Sequence, residues 1–481
     1  MLRLSSGTRA GCALLLLPLL VACVSSVVSP QAARPGPQAQ LRASGDSAEP
    51  TSQPPVETPG PGPGAWWTAF ADPQLDRLIE QALRQSPDVL AARQRLQAAR
   101  ALRPAADAAH KPELFLRSGA VATPDSRSGW LELGFDARWE QPLFGRDVAT
   151  QALAQIELDQ AETALDQARL SLAAELARAW LEWRHELNRA AGARLAVDSE
   201  KQQLQGLMRR AELGLIADSA ILPQQQRLAT AQDALRQIEQ LLPLQRQRVQ
   251  ILLGDLRAEL PAPAPAGGST PAALDSVPTA WLQDHPSLRR AEQRLRQAAA
   301  QAGLAEADRW PRLALAANLG VALPVLGRRA GNDPIPMVAL GPLIDIPLLD
   351  AGRRRAVVTA RDHELQAAVL EQRQAVLQAQ ADVEAALLRL QHSQERRLAA
   401  ERGLLTLDAQ ARGLSEKARI GLSAAAPDAE LERARQEARE QSRNARLAQE
   451  LAYLALFKAL GHPLPEPAPA PAPAMTPEVG G

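Results

Sequence analysis

Cysteine is almost missing from this chain of 481 residues, which has 2, Cys12 and Cys23. Cys12 lies in a segment that reads as a removable export signal, so no internal disulfide framework is available. Aromatic residues are scarce at 3%, and formal net charge is zero, with 54 basic against 54 acidic residues. No global field draws such a chain to nucleic acid, and no nucleic-acid partner is expected. After the N-terminus no run of about 18 apolar residues occurs, so no transmembrane helix is expected in the mature chain. Catalytic and metal-binding motifs are missing as well. His110, His185, His285, His363, His392 and His462 are scattered, with no second histidine four residues on. His363-Glu364 opens like a zinc-protease helix, but position 367 is alanine. There is no Gly-x-Ser-x-Gly elbow, no Walker loop and no cysteine pair for a metal. Carboxylates abound on the long helical stretches, where with arginine they form solvated faces. The expectation is a protein that is not an enzyme and needs no cofactor or metal.

What is present begins with a signal. Arg3 and Arg9 precede a short apolar core, Ala13 to Leu20. Leu20-Val21-Ala22-Cys23 resembles the lipobox of bacterial lipoproteins, which implies cleavage before Cys23 and its acylation by palmitate-type chains. Several acyl chains at roughly 0.8 kcal/mol per buried methylene anchor firmly. The plainer reading is a cleaved signal with an idle Cys23. Val24 and Ser25 bring no early Asp, which in lipoproteins favours sorting to the outer membrane. Residues 23–64 form a Pro-, Ala-, Ser- and Gly-rich linker, and 465–481 a disordered Pro/Ala tail.

Between these ends, Trp130 to Glu140 alternates strictly. Leu131, Leu133, Phe135, Ala137 and Trp139 fall on one face of a strand; Glu132, Gly134, Asp136, Arg138 and Glu140 fall on the other. About 11 residues is the length a tilted strand needs to cross a bilayer. An apolar face toward lipid and a polar face toward a lumen is the pattern of a membrane barrel, although a sandwich strand with one wet face alternates similarly. Long helices flank the hairpin. From Leu158 to Leu187 the apolar positions Leu158, Ala161, Leu165, Ala168, Leu172, Leu176, Ala179, Trp183 and Leu187 recur about every 3.6 residues, the period of a nearly straight helix. That helix is expected over roughly 146–212, on the order of 100 Å at 1.5 Å per residue. A counterpart is expected over 353–419, with shorter helices over 86–108 and 217–253, the latter kinked at Pro243.

The plan occurs twice. Pro87, Ala92 and Gln94-Arg95-Leu96 match Pro286, Ala291 and Gln293-Arg294-Leu295 at one offset, and Pro112, Leu114 and Leu116 then match Pro311, Leu313 and Leu315. Gly145-Arg146 resembles Gly352-Arg353, and Gly254 resembles Gly461. The first repeat is 65–270, with a hairpin about 113–140 and long helices about 146–253. The second is 271–464, with a hairpin about 312–347 and long helices about 353–460. Pro324, Pro334, Pro336 and Pro342 obscure the strand ends of the second hairpin. Four strands cannot close a membrane barrel, which needs about eight, and an open edge cannot face lipid. Hairpins in a membrane therefore require an oligomer, and a trimer supplies twelve strands.

The plan resembles the TolC-like outer-membrane efflux channels, and within them the lipoprotein branch. Trp66 to Leu83, Trp139-Glu-Gln-Pro-Leu-Phe-Gly-Arg146 and Gly341-Pro-Leu-Ile-Asp-Ile-Pro-Leu-Leu-Asp-Ala-Gly-Arg353 carry the resemblance, which spans 65 to about 465. It implies a mainly α chain with a membrane β-barrel, forming a homotrimer with a twelve-stranded β-barrel on a twelve-helix α-barrel. It implies residence in the outer membrane of a Gram-negative bacterium, docking to a periplasmic adaptor and an inner-membrane pump, and passive export of drugs, metals or other small molecules. Leu131, Leu133, Phe135 and Trp139 are then expected to face lipid, and Glu132, Asp136 and Arg138 the lumen. Gly214, Leu215, Gly421 and Leu422 mark two turns expected to meet the adaptor, each Gly suited to a left-handed helix cap. The resemblance also implies a carboxylate gate near the second turn. Its usual position is Ala220 in the first half and Pro427 in the second, with Asp428 and Glu430 close by. Asp428 equally suits the cap of the following helix. Two other functions fit the sequence: the outer channel of a type I protein-secretion system, and a lipid-anchored coiled-coil scaffold without a pore.

Overall fold

The structure, a computed structural model, describes residues 41–42, 65–123, 128–264, 271, 276–277, 285–326, 334–420 and 429–464. Cys23, Gly421, Leu422 and Asp428 lie outside the described residues. The main helices are α1 (Pro73–Gln85), α2 (Pro87–Ala108), α3 (Arg146–Glu212), α4 (Leu222–Leu253), α5 (Pro286–Ala307), α6 (Arg353–Arg419) and α7 (Ala429–Leu460). The strands of the larger sheet are β1 (Glu113–Thr123), β2 (Ser128–Gln141), β3 (Arg312–Leu326) and β4 (Ile335–Asp345). A two-residue antiparallel ladder joins Leu41–Arg42 to Ser276–Val277. Each half thus carries a helix, a hairpin, a 67-residue helix and a 32-residue returning helix. α4 continues through Pro243 as one helix. No described helix is long and apolar enough to cross a membrane.

The chain forms two compact units. One holds the sheet, within Ala98–Asp159 and Glu292–Gln372. The strands run antiparallel in the order β1-β2-β3-β4, so β1 and β4 each have one unpaired edge among the described residues. Pro324 falls where the β2–β3 register slips, between Gly129 and Trp130. Pro336 and Pro342 lie on the edge strand β4. Bulges and edges are where a residue without an N–H is tolerated in a sheet.

The other unit takes the described residues of Pro37–Gln97, Gln160–Ala291 and Arg373–Gly481. Its core gathers Trp66, Phe70, Leu75, Ile79, Leu176, Trp180, Leu387, Leu390, Leu456 and Leu460, all fully buried. α3 is buried on most of its circumference between Leu170 and Arg184, so the sequence stripe there is only part of its packed surface. A charged network crosses this core. Asp72 caps α1, its Oδ1 accepting from the Gln74 and Leu75 amides at 3.0 and 3.3 Å. Its Oδ2 accepts from Trp180 Nε1 at 2.8 Å and lies 3.7 Å from Arg184 Nη1. Arg184 Nη2 donates to Glu450 Oε1 at 2.9 Å, and Arg446 Nε donates to the same oxygen at 3.1 Å. The side chains of Arg184, Glu450 and Asp72 are only 5%, 3% and 6% exposed.

The repeat recurs as a contact. Gly254 and Gly461 end α4 and α7 with positive φ, and a Cβ on either would overlap the proline that opens the helix before the hairpin of the same half, Pro87 of α2 or Pro286 of α5. Next to this joint, His285 Nδ1 accepts from the Ser287 amide at 3.2 Å and lies 2.6 Å from Ser287 Oγ. Burial holds its pKa below the ordinary histidine value, against the opposing effect of a backbone hydrogen bond at Ala459. A fold that resists protonating a histidine loses stability as pH falls below about 6.5, where the unfolded chain takes up the proton, and regains it above. Thermal unfolding midpoints at pH 7.5 and 5.5 test this. The acid-induced drop is expected to be smaller in His285→Gln than in the wild type.

Candidate functional site

The register divides the sheet into two faces, because opposed residues of antiparallel strands point the same way and neighbours along a strand point oppositely. On one face, Leu116, Phe135, Leu319 and Val338 form a row across all four strands. The next row on one side is Leu114, Ala137, Ala317 and Leu340; on the other it is Ser118, Leu133, Val321 and Pro336. Trp139, Leu315 and Pro342 extend it. These side chains are open: Val338 and Leu340 are each 74% exposed, Leu114 68% and Leu116 65%. Soluble surfaces rarely carry an apolar patch that spans a whole sheet, so this face marks contact with lipid or with a partner.

The opposite face is polar. Its rows are Glu113, Arg138, Ala316, Gly341; Phe115, Asp136, Asn318, Ala339; Arg117, Gly134, Gly320, Met337; and Gly119, Glu132, Ala322, Ile335. Arg117 Nε lies 3.2 Å from Asp136 Oδ2, and Asn318 Nδ2 donates to Asp136 Oδ1. Gly134 and Gly320 are opposed so closely that a Cβ on Gly134 would stand 2.7 Å from the Gly320 Cα. Side chains are therefore missing from the middle of this face, and a shallow hollow opens there, bordered by Arg117, Glu132, Asp136, Asn318 and Met337.

Each hairpin hands over to its long helix through two left-handed residues, Phe144-Gly145 (φ 59° and 77°) and Ala351-Gly352 (φ 53° and 83°). At the first junction Phe144 stacks on Trp310 at 5.1 Å, and Arg146 bonds Asp308, which also accepts from Arg312 at 2.9 Å. At the second, Asp350 accepts from the Gly352 and Arg354 amides, each at 3.1 Å. The Arg354 amide is the main reason the Asp350 carboxyl sits below the usual range. A carboxylate at a helix start is favoured by the free amides and the dipole.

At the far end of α3, Gly214 takes φ 71°, and the Leu215 amide reaches back to the Arg210 carbonyl at 2.8 Å, closing the helix. Leu213, Leu215 and Leu222 are exposed around it. Glu430 lies exposed in the first turn of α7.

Of the residues singled out in sequence, Leu131, Leu133, Phe135 and Trp139 share the apolar face and are exposed, while Glu132, Asp136 and Arg138 share the polar one. Gly214 and Leu215 stand together at the turn after α3. Sequence reasoning missed the partners of Asp136, namely Arg117 and Asn318. Arg117 sits in the less regular strand, and Asn318 is brought near only by pairing between the two hairpins. No group of side chains suited to a metal occurs among the described residues.

A family model described as outer membrane efflux protein matches residues 78–255 and 277–462. Nodulation protein T of Rhizobium leguminosarum bv. trifolii is 24% identical over 341 residues, 68% of this chain and 72% of that protein. The pyoverdine export outer membrane protein OpmQ of Pseudomonas aeruginosa is 29% identical over 349 residues, 67% of this chain and 71% of that protein. Among solved structures, the outer-membrane channel OprN matches with a TM-score of 0.70 at 27% identity, over 83% of this chain and 92% of that one. The MtrE outer membrane channel of Neisseria gonorrhoeae, in its open state, shares the fold with a TM-score of 0.74 at 21% identity, over 89% of this chain and 98% of that one.

Proposed function

The chain belongs to the outer membrane efflux protein family, and we propose that three copies close into one export duct through the outer membrane. The observation that carries this reading is the two-faced sheet with two open edges. Unpaired edge groups in hydrocarbon cost several kcal/mol each, so a sheet with a lipid-facing surface must pair its β1 and β4 edges with other copies. Four strands from each of three chains make a twelve-stranded barrel, above the minimum of about eight. α3, α4, α6 and α7 of three chains supply twelve helices for a periplasmic tunnel. Leu131, Leu133, Phe135 and Trp139 face lipid; Glu132, Asp136 and Arg138 line the lumen.

The duct is passive and is the outer member of a tripartite system, receiving small molecules from an inner-membrane pump through a periplasmic adaptor. Gly214, Leu215, Gly421 and Leu422 form the tip that meets the adaptor, and Asp428 and Glu430 narrow the tunnel there. Acylated Cys23 holds each chain to the membrane. A coiled-coil scaffold has no use for a sheet that is apolar on one whole face, and OpmQ, a relative, is named for export of the small molecule pyoverdine. Native mass measurement of the detergent-extracted protein tests the assembly: a trimer is expected, and a monomer in mild detergent contradicts it.

A further inference from the structure

We propose that Glu132 gives the barrel a preference for cations, as the one carboxylate among the described residues that lies near mid-sheet on the inner face with no charge opposite or bonded to it. The inference rests on the trimeric channel reading above. Three other inner-face carboxylates, Asp136, Glu113 and Asp345, stand beside an arginine of the sheet. Asp136 is held by Arg117 at 3.2 Å and by Asn318. Glu113 is directly opposite Arg138, and Asp345 is directly opposite Arg312.

Glu132 differs. The residues opposite it on the two neighbouring strands are Gly119 and Ala322, and beyond Ala322 comes Ile335. None of these can donate a charge or cover the carboxylate, and the opposed glycines Gly134 and Gly320 leave the adjoining row nearly bare. The Arg117 guanidinium, on the same face one row away, is engaged by Asp136. No ion pair or hydrogen bond engages Glu132 among the described residues. Glu140 also lacks an opposed cation, facing Ala314, but it lies at the end of β2 beyond the residues paired with β1. Threefold symmetry turns each position into a ring. The Asp136 ring is neutralised by Arg117, whereas a Glu132 ring sums three uncompensated negative charges around one lumen. Rings of carboxylates favour cations and oppose anions in transit, and a low-dielectric wall strengthens their field. The ring would ease passage of cationic or zwitterionic cargo and slow anionic cargo.

The reversal potential of the purified trimer in a planar bilayer under a KCl gradient tests this. The wild type is expected to show a potential of the sign for potassium over chloride. Glu132→Gln is expected to lower the permeability ratio about twofold or more, and Glu132→Arg to invert the preference. Glu140→Gln is expected to shift it less than Glu132→Gln. A wild type that prefers chloride, or a Glu132→Gln trimer with an unchanged reversal potential, overturns the proposal while the channel reading stands. A trimer without conductance steps, both as the wild type and with Asp428 and Glu430 replaced by alanine, overturns both.

Discussion

Phe135→Arg is expected to prevent the protein from accumulating as a trimer in the outer membrane. Phe135 sits mid-row between Leu116 and Leu319 on the exposed apolar face. An arginine facing lipid near the middle of a membrane barrel costs about 2–4 kcal/mol per chain, and a symmetric trimer meets that cost three times. Glu132→Arg is the matched control. It brings the same side chain three residues earlier on the same strand, but onto the polar face, where Arg138 is already accommodated. It is expected to assemble. Membrane fractionation followed by unheated gel electrophoresis distinguishes the two, and assembly of Phe135→Arg at wild-type levels would sink the assignment of that face to lipid.

The second large effect lies in the helical unit. Arg184→Ala is expected to destabilise that unit by about 3 kcal/mol or more, since removing one partner of a buried ion pair typically costs 3–5 kcal/mol. It leaves Glu450 and Asp72, both nearly inaccessible, without their central cation. Arg446 still bonds Glu450, and Trp180 and two amides still bond Asp72, which places the effect at the low end of that range. Arg248→Ala provides the contrast. It breaks a 2.9 Å pair with Glu182 in which the arginine is half exposed and Arg178 still bonds the carboxylate, and pairs with an exposed partner contribute under about 1 kcal/mol. Protease resistance and thermal unfolding of the detergent-solubilised proteins should separate the variants clearly. Equal effects would show that burial of the network carries no special weight.

Much of the fold was legible because its signals are periodic. Alternation from Leu131 to Trp139 marks β2, and a 3.6-residue recurrence marks α3; neither depends on distant residues. Duplication extended this reading to the second half, where Pro336 and Pro342 would otherwise have argued against a strand. Within a single chain those prolines fall on an edge strand, where proline is tolerated, and edge status is a tertiary property. The core network was not legible. Asp72-Pro73 has the form of a helix cap, yet nothing near it announces a bond to Trp180, 108 residues away, or a shared cation with Glu450. The alternation of β2 assigned its residues to two faces, but not the neighbours that pair with them. Asp136 and Glu132 look alike in sequence; the register sets Phe115 and Asn318 opposite the one and Gly119 and Ala322 opposite the other, and Arg117, in the row between them, pairs with Asp136.

Single-channel recording of the purified wild-type protein in a planar bilayer tests the central claim most directly. Discrete, uniform conductance steps from a trimer are the expected result. A trimer that inserts into the bilayer yet never conducts, with Asp428 and Glu430 intact or both replaced by alanine, would contradict a duct through the membrane.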